Sequence, residues 1–162
     1  MTRVYVGVGS NIDREVNIRG GIEALRKQFG SLTVSSVYES EPFGFEGENF
    51  YNLVVGFDTT HDLETVASLL RDIECKFGRE RQHQRFMSRT LDLDLLLFGD
   101  LVRHDKNFDL PREDVTAYSF VLCPLAEIAG DLPHPEDGHT YKELWKDFNK
   151  DSHGIWAVDL EL

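Results

Sequence analysis

The chain has 162 residues, enough for one core of ordinary size, and it is acidic, with 29 Asp+Glu against 17 Lys+Arg and a formal net charge of −12. Its pI near 4.8 argues against a nucleic-acid backbone as the main partner, because that binding is driven by broad positive surface. No apolar run approaches the ~20 residues needed to cross a bilayer, so no membrane partner is expected.

Taken in order, the first ten residues lack the longer apolar core of a secretory signal and read as a strand over Arg3–Val8, closed by the turn Gly9-Ser10-Asn11. Gly7-Val-Gly9-Ser10-Asn11 is not a dinucleotide fingerprint: the third glycine and an acid at the end of the next strand are missing. Val16, Ile18, Ile22, Leu25 and Phe29 give an imperfect helical stripe over 13–29, stopped by Gly30. A strand over 32–40, a loop over 42–49 and a strand over 52–60 follow. Asp62 caps a second helix with the face Val66, Leu69, Leu70, Ile73 and Phe77, ended by Gly78. Beyond it come an arginine-rich loop, a strand around Asp92, and an irregular stretch or short hairpin over 101–110. A buried helix over 120–129 and a peripheral one over 141–148 complete the chain.

The order strand–helix–strand–strand–helix–strand predicts an α+β ferredoxin-like sandwich, an antiparallel sheet with helices plus a C-terminal extension, in one domain spanning residues 1–162. The two cysteines, Cys75 and Cys123, have no metal-ligand spacing and read as reduced thiols of a cytoplasmic protein.

The stretch Arg89-Thr-Leu-Asp92-Leu-Asp94-Leu-Leu-Leu-Phe-Gly99 sets two carboxylates two residues apart in an apolar run. On a strand Asp92 and Asp94 share a face, about 7 Å apart, while Leu91, Leu93 and Leu95 point the other way. Like charges held so close need a positive group between them. A hard divalent cation fits, since one held by few carboxylates completes its shell with water and phosphate oxygens. The other reading is an edge strand whose acids deter strand addition, which predicts polar residues further along that face. Leu96 and Phe98 stand there instead.

Just upstream, Arg79, Arg81, Arg85 and Arg89 place four arginines in eleven residues of an otherwise acidic chain, with Glu80 the only acid among them. Guanidinium groups match phosphate oxygens two at a time and keep their charge. Arginines that lead into paired carboxylates predict a site for a polyphosphate and its metal. No G-x-x-x-x-G-K-[ST] motif is present, so any nucleotide is held without a P-loop.

Together these pieces resemble the hydroxymethyldihydropterin pyrophosphokinase family of folate biosynthesis. The resemblance runs through Gly9-Ser10-Asn11, Tyr38-Glu-Ser40-Glu-Pro42, Phe50-Tyr-Asn52 and Ile73-Glu74-Cys-Lys-Phe-Gly78-Arg79. It is most specific at Arg89-Thr-Leu-Asp92-Leu-Asp94 and at Phe120-Val-Leu-Cys-Pro124-Leu-Ala-Glu127-Ile-Ala129. It implies pyrophosphoryl transfer from MgATP to the hydroxymethyl oxygen of a reduced pterin, with release of AMP. By position, Asp92 and Asp94 would hold two Mg²⁺ ions, and Arg79 and Arg89 would contact phosphates. Arg81 and Arg85 would sit on a loop closing over them, and Glu74 would lie at the nucleotide site. Phe50 and Phe120 would sandwich the pterin, Phe43 and Ser40 would line its pocket, and Asn52 would bond its edge. ATP and the pterin are thus the expected partners of a monomer.

The chain also departs from the family pattern. Leu110-Pro111-Arg112-Glu113 stands where the family usually has Leu-Pro-His, so Arg112 becomes the candidate phosphate contact, and Tyr118 stands where an arginine is usual. These changes leave open a diverged relative that binds a reduced pterin or nucleotide with little turnover, or acts on another pterin.

Overall fold

A run of alternating valines opens the chain. In the computed structural model, which describes residues 1–42, 46–78, 90–148 and 154–162, they form β1 (Thr2–Ser10), with Val4, Val6 and Val8 buried on one face. The helix α1 (Arg14–Phe29) follows and ends at Gly30, whose φ of 86° lies in the left-handed region that glycine enters without strain. The strand expected over 32–40 is split into β2 (Thr33–Val34) and β3 (Val37–Ser40). Ser35 causes the break: its Oγ, not a backbone carbonyl, accepts the Val54 N–H at 2.9 Å. Then come β4 (Phe50–Thr59) and α2 (Leu63–Lys76), where the Asp62 side chain accepts the Thr65 N–H at 2.9 Å as the N-cap.

The acid strand is β5 (Asp92–Phe98). Residues 101–110 form a small hairpin of β6 (Arg103–His104) and β7 (Asp109–Leu110). A short α3 (Asp114–Ala117), α4 (Ser119–Ala129), α5 (Tyr141–Asp147) and a last strand β8 (Ile155–Val158) complete the chain. Neither α3 nor β8 was among the elements expected from the sequence.

The main sheet runs β5-β1-β4-β3-β8 with every neighbouring pair antiparallel, and β2 adds to β4. Two apolar layers sandwich it. Ile18, Ile22 and Leu25 of α1 and Val66, Leu70 and Ile73 of α2 pack on one face against Val4, Val6, Val8, Leu53, Val55 and Leu93. Val121, Leu122 and Leu125 of α4, with Val115 and Tyr141, cover the other face over Tyr5, Val54 and Leu96. This is the expected α+β sandwich, and the C-terminal extension supplies its second cover.

One local expectation needs correction. Leu96 does follow Asp92 and Asp94 on their face, but a register shift between Tyr5 and Val6 interrupts the alternation. Leu97 then joins Leu96 in the α4 layer, and Phe98 packs with the opposite core. A bulge of this kind inserts one unpaired residue and reverses the facing of all that follow.

Candidate active site

The register of four strands brings the candidate residues together. Gly9 of β1 lies opposite Asp92 of β5 on one side and Asn52 of β4 on the other, and Asn52 lies opposite Tyr38 of β3. Gly7 is likewise opposite Asp94, and Ser40 is opposite Phe50. Leu91, Leu93 and Leu53 belong to the core under α1 and α2, so Asp92, Asp94, Phe50 and Asn52 face the α4 side. The two glycines leave a floor without side chains between the acids and the amide. At Gly9 that openness is required, because a Cβ would lie 2.8 Å from Asn52 Oδ1. The Asn52 amide is oriented by its Nδ2, which donates to the buried Ser40 Oγ at 3.0 Å.

Behind the acids stands Glu74. It is buried on α2, and its Oε2 accepts the backbone N–H of Leu93, the residue between Asp92 and Asp94, at 2.8 Å. β5 is the edge of the sheet, so this N–H has no strand partner on its outer side. The edge placement is the one the competing reading of this stretch predicted. The acids nevertheless point across the sheet face toward α4, and the edge itself is closed here by a carboxylate.

Asp94 is held well above the usual carboxylate range, first by burial and then by the neighbouring Asp92 charge, with Arg112 opposing both. Arg112 follows β7 and reaches over β5, its backbone N–H donating to Leu96 O at 3.0 Å. Its Nη2 lies 3.7 Å from Asp94 Oδ1, and its Nε donates to Asp114 Oδ2 at 3.1 Å. Burial works against the guanidinium charge, but Asp94 and Asp114 more than offset it, and its pKa is raised further.

The donors fit a hard cation. Among the described residues no group of three or more His, Cys, Asp or Glu is arranged to hold a metal alone. Two oxygen-only side chains on one strand face suit an ion that completes its shell with water and phosphate. Beside Asp94 a cleft of about 160 Å³ opens between α2, β5 and the hairpin, lined among others by Leu70, Arg71, Leu95, Phe108 and Arg112.

On the other side of the floor, the half-buried Phe120 ring at the start of α4 stacks on Tyr118, centroids 5.1 Å apart and planes within 12°. α4 is tied to β3 by Glu127, which accepts from Tyr38 Oη at 2.7 Å and from the Ser36 N–H at 2.8 Å. Burial, followed by that bond, raises the Tyr38 pKa and keeps the phenol a donor. The structure thus gathers Ser40, Phe50, Asn52, Asp92, Asp94, Arg112 and Phe120 on one side of the sheet and places Glu74 behind β5. Phe43, Arg79, Arg81, Arg85 and Arg89 lie outside the described residues. Sequence reasoning missed Asp114, the partner of Arg112, and the glycine floor. Asp114 carried no signal beyond closeness in sequence, whereas the Gly7–Gly9 spacing on a strand could have revealed the floor.

Comparison with known proteins puts the chain in one class, the pterin pyrophosphokinases. The model of the 7,8-dihydro-6-hydroxymethylpterin-pyrophosphokinase (HPPK) family matches residues 5–130, and the chain belongs to that family. Its members transfer pyrophosphate from ATP to hydroxymethyldihydropterin in folate synthesis. The 2-amino-4-hydroxy-6-hydroxymethyldihydropteridine pyrophosphokinase of Pseudomonas aeruginosa is 36% identical over 141 residues, covering 85% of this chain and 86% of the relative. That of Aquifex aeolicus is 31% identical over 154 residues, with 94% and 93% covered. A crystal structure of Plasmodium falciparum HPPK-DHPS superposes with a TM-score of 0.70 at 15% identity, which shows the shared fold. It matches 90% of this chain, which spans 43% of that longer one. No helix among the described residues is long and apolar enough to cross a membrane.

Proposed function

We propose that this chain transfers a pyrophosphoryl group from MgATP to the hydroxymethyl oxygen of 6-hydroxymethyl-7,8-dihydropterin, as a monomer in the cytoplasm. The observation that carries the residue assignment is the cross-strand row Asp92–Gly9–Asn52, which sets paired acids and an oriented amide at two ends of one open floor. At the pterin end, Asn52 bonds the edge of the heterocycle, its amide held by Ser40. Phe50 and Phe120 take the flat faces, and Phe43 is a further residue of the pterin pocket. The triphosphate lies along Asp92 and Asp94, and the nucleoside enters the adjoining cleft beside Leu70 and Arg112. Arg79, Arg81, Arg85, Arg89 and Arg112 supply positive charge to the phosphates.

Asp92 and Asp94 would hold two Mg²⁺ ions, whose chemistry would be to neutralise phosphate charge. The chain's own work is placement. Glu74 fixes β5 through the Leu93 N–H, so the acids keep their spacing. The glycine floor lets the hydroxymethyl arm reach from the amide to the acids without meeting a side chain.

The test is AMP and pterin diphosphate formation by purified protein with MgATP and the pterin. Parent protein should form both. Asp92→Ala and Asp94→Ala should each lower turnover by about a hundredfold or more, with pterin binding largely kept. Pterin binding without AMP from the parent would replace this reading with a binding protein, and full activity in both variants would remove the metal assignment.

A further inference from the structure

Arg112 stands between two kinds of carboxylate. Its Nε is bonded to Asp114 at 3.1 Å, whereas its Nη2 approaches Asp94 at 3.7 Å, beyond a good hydrogen bond but well within reach of its charge. Its side chain is one-third exposed, and the Asp114 side chain only 13%, so the Asp114 bond is the better shielded anchor. The backbone is fixed too, since the Arg112 N–H is bonded to Leu96 O two residues along β5 from Asp94. The guanidinium is therefore held at the acid pair without being committed to it.

We propose that Arg112 is a resident counter-cation of the Asp92/Asp94 pair, which weakens binding of a bare divalent cation and yields once a triphosphate arrives with it. Resting on the reading of that pair as the metal site, the inference concerns the order in which charge enters. A divalent ion alone meets a fixed positive charge a few ångströms from its ligands and gives Arg112 nothing in return. A triphosphate offers the guanidinium oxygen acceptors in a matching plane, so the same residue that repels the bare ion favours the metal–nucleotide complex. Arg112 thus couples the two ligands: each binds more tightly when the other is present, by one common factor. Asp114 sets the balance by holding the guanidinium off Asp94 when the site is bare.

Manganese binding measured by electron paramagnetic resonance, without nucleotide and then with a non-hydrolysable ATP analogue, tests this. Arg112→Gln should tighten binding of manganese alone by tenfold or more and weaken binding of the metal–nucleotide complex. Asp114→Asn should weaken binding of manganese alone, because the guanidinium is then left to Asp94. Arg112→Lys, which keeps the charge, should stay near the parent for manganese alone. Melting curves identify any variant that has lost the fold, and the remaining variants carry the comparison. If Asp94→Asn abolishes manganese binding but Arg112→Gln fails to tighten it, the counter-cation role is overturned while the metal site stands. If Asp94→Asn leaves manganese binding unchanged, both are overturned.

Discussion

Gly9 and Gly7 differ by what a single methyl would touch. At Gly9 an added Cβ would sit 2.8 Å from Asn52 Oδ1, closer than real contacts allow. Gly9→Ala should therefore push the amide off its Ser40 bond, cost about 1–3 kcal/mol of stability and weaken pterin binding more than MgATP binding. At Gly7 the nearest atoms are Leu96 methyls at 3.6 Å, an ordinary contact, so Gly7→Ala should leave the melting temperature unchanged or slightly raised. Calorimetry with each ligand and a melting curve for each variant separate the two, and equal losses at both positions would contradict the geometry. Tyr118 offers a second residue-scale test. Its ring braces Phe120 but cannot supply the positive charge that an arginine there would offer to the phosphates. A guanidinium is planar and can also lie over the Phe120 ring. Tyr118→Arg should accordingly speed the chemical step, and one added cation is worth up to about a hundredfold. Single-turnover AMP formation measures it, and an unchanged rate would mean that charge at this position is not limiting.

At the scale of elements, the hairpin that leads into Arg112 is pinned by His104. The ring donates toward Asp109 at 2.5 Å from Nδ1 and toward Glu136 at 2.6 Å from Nε2, and only the imidazolium can donate from both nitrogens. The Glu136 bond and then the Asp109 bond raise its pKa above the usual 6.5. The stability this adds is fully present below 6.5 and fades as pH rises through the raised folded value. His104→Gln should thus lower the melting temperature more in acid than in alkaline buffer, and a deficit independent of pH would rule the pinning out. Such devices explain what could be read in advance. The acids of β5, the cap at Asp62 and the stop at Gly30 are local, and each was legible from spacing alone. The bulge at Leu96 and Leu97 was not, because the unbroken apolar run Leu95-Leu96-Leu97-Phe98 shows no alternation that a register shift could visibly break. The split at Ser35 was invisible because a serine that takes the Val54 N–H looks like any other strand serine. The sequence offered Arg112 as a candidate phosphate contact, but its place beside Asp94 depends on the hairpin, which folds over β5 only in three dimensions.

For the molecule as a whole, β8 closes the sheet over β3, pairing Ser40 with Ile155 and Tyr38 with Ala157. Val158, Leu160 and Leu162 pack on the core beneath α1 and α2. The strand itself, Ile155-Trp-Ala-Val158, is a four-residue apolar run without alternation, and the alternating Val158, Leu160 and Leu162 lie mostly beyond it, so the segment is too short to mark a strand by its pattern. Deleting residues 154–162 should cost about 2–4 kcal/mol through the lost apolar cover. Because β3 carries Ser40, the KM for pterin should also rise more than that for ATP, and equal changes in both would separate β8 from the site.

The cross-strand row has one more consequence. Asp92 and Asn52 are separated by two strand spacings, about 10 Å of backbone that cannot stretch without breaking ladder bonds. In the proposed function the sheet would therefore work as a ruler, with the heterocycle at one mark and the phosphates at the other. Selection would then fall on the length of the arm between ring and hydroxyl, a property that neither end of the site could measure alone.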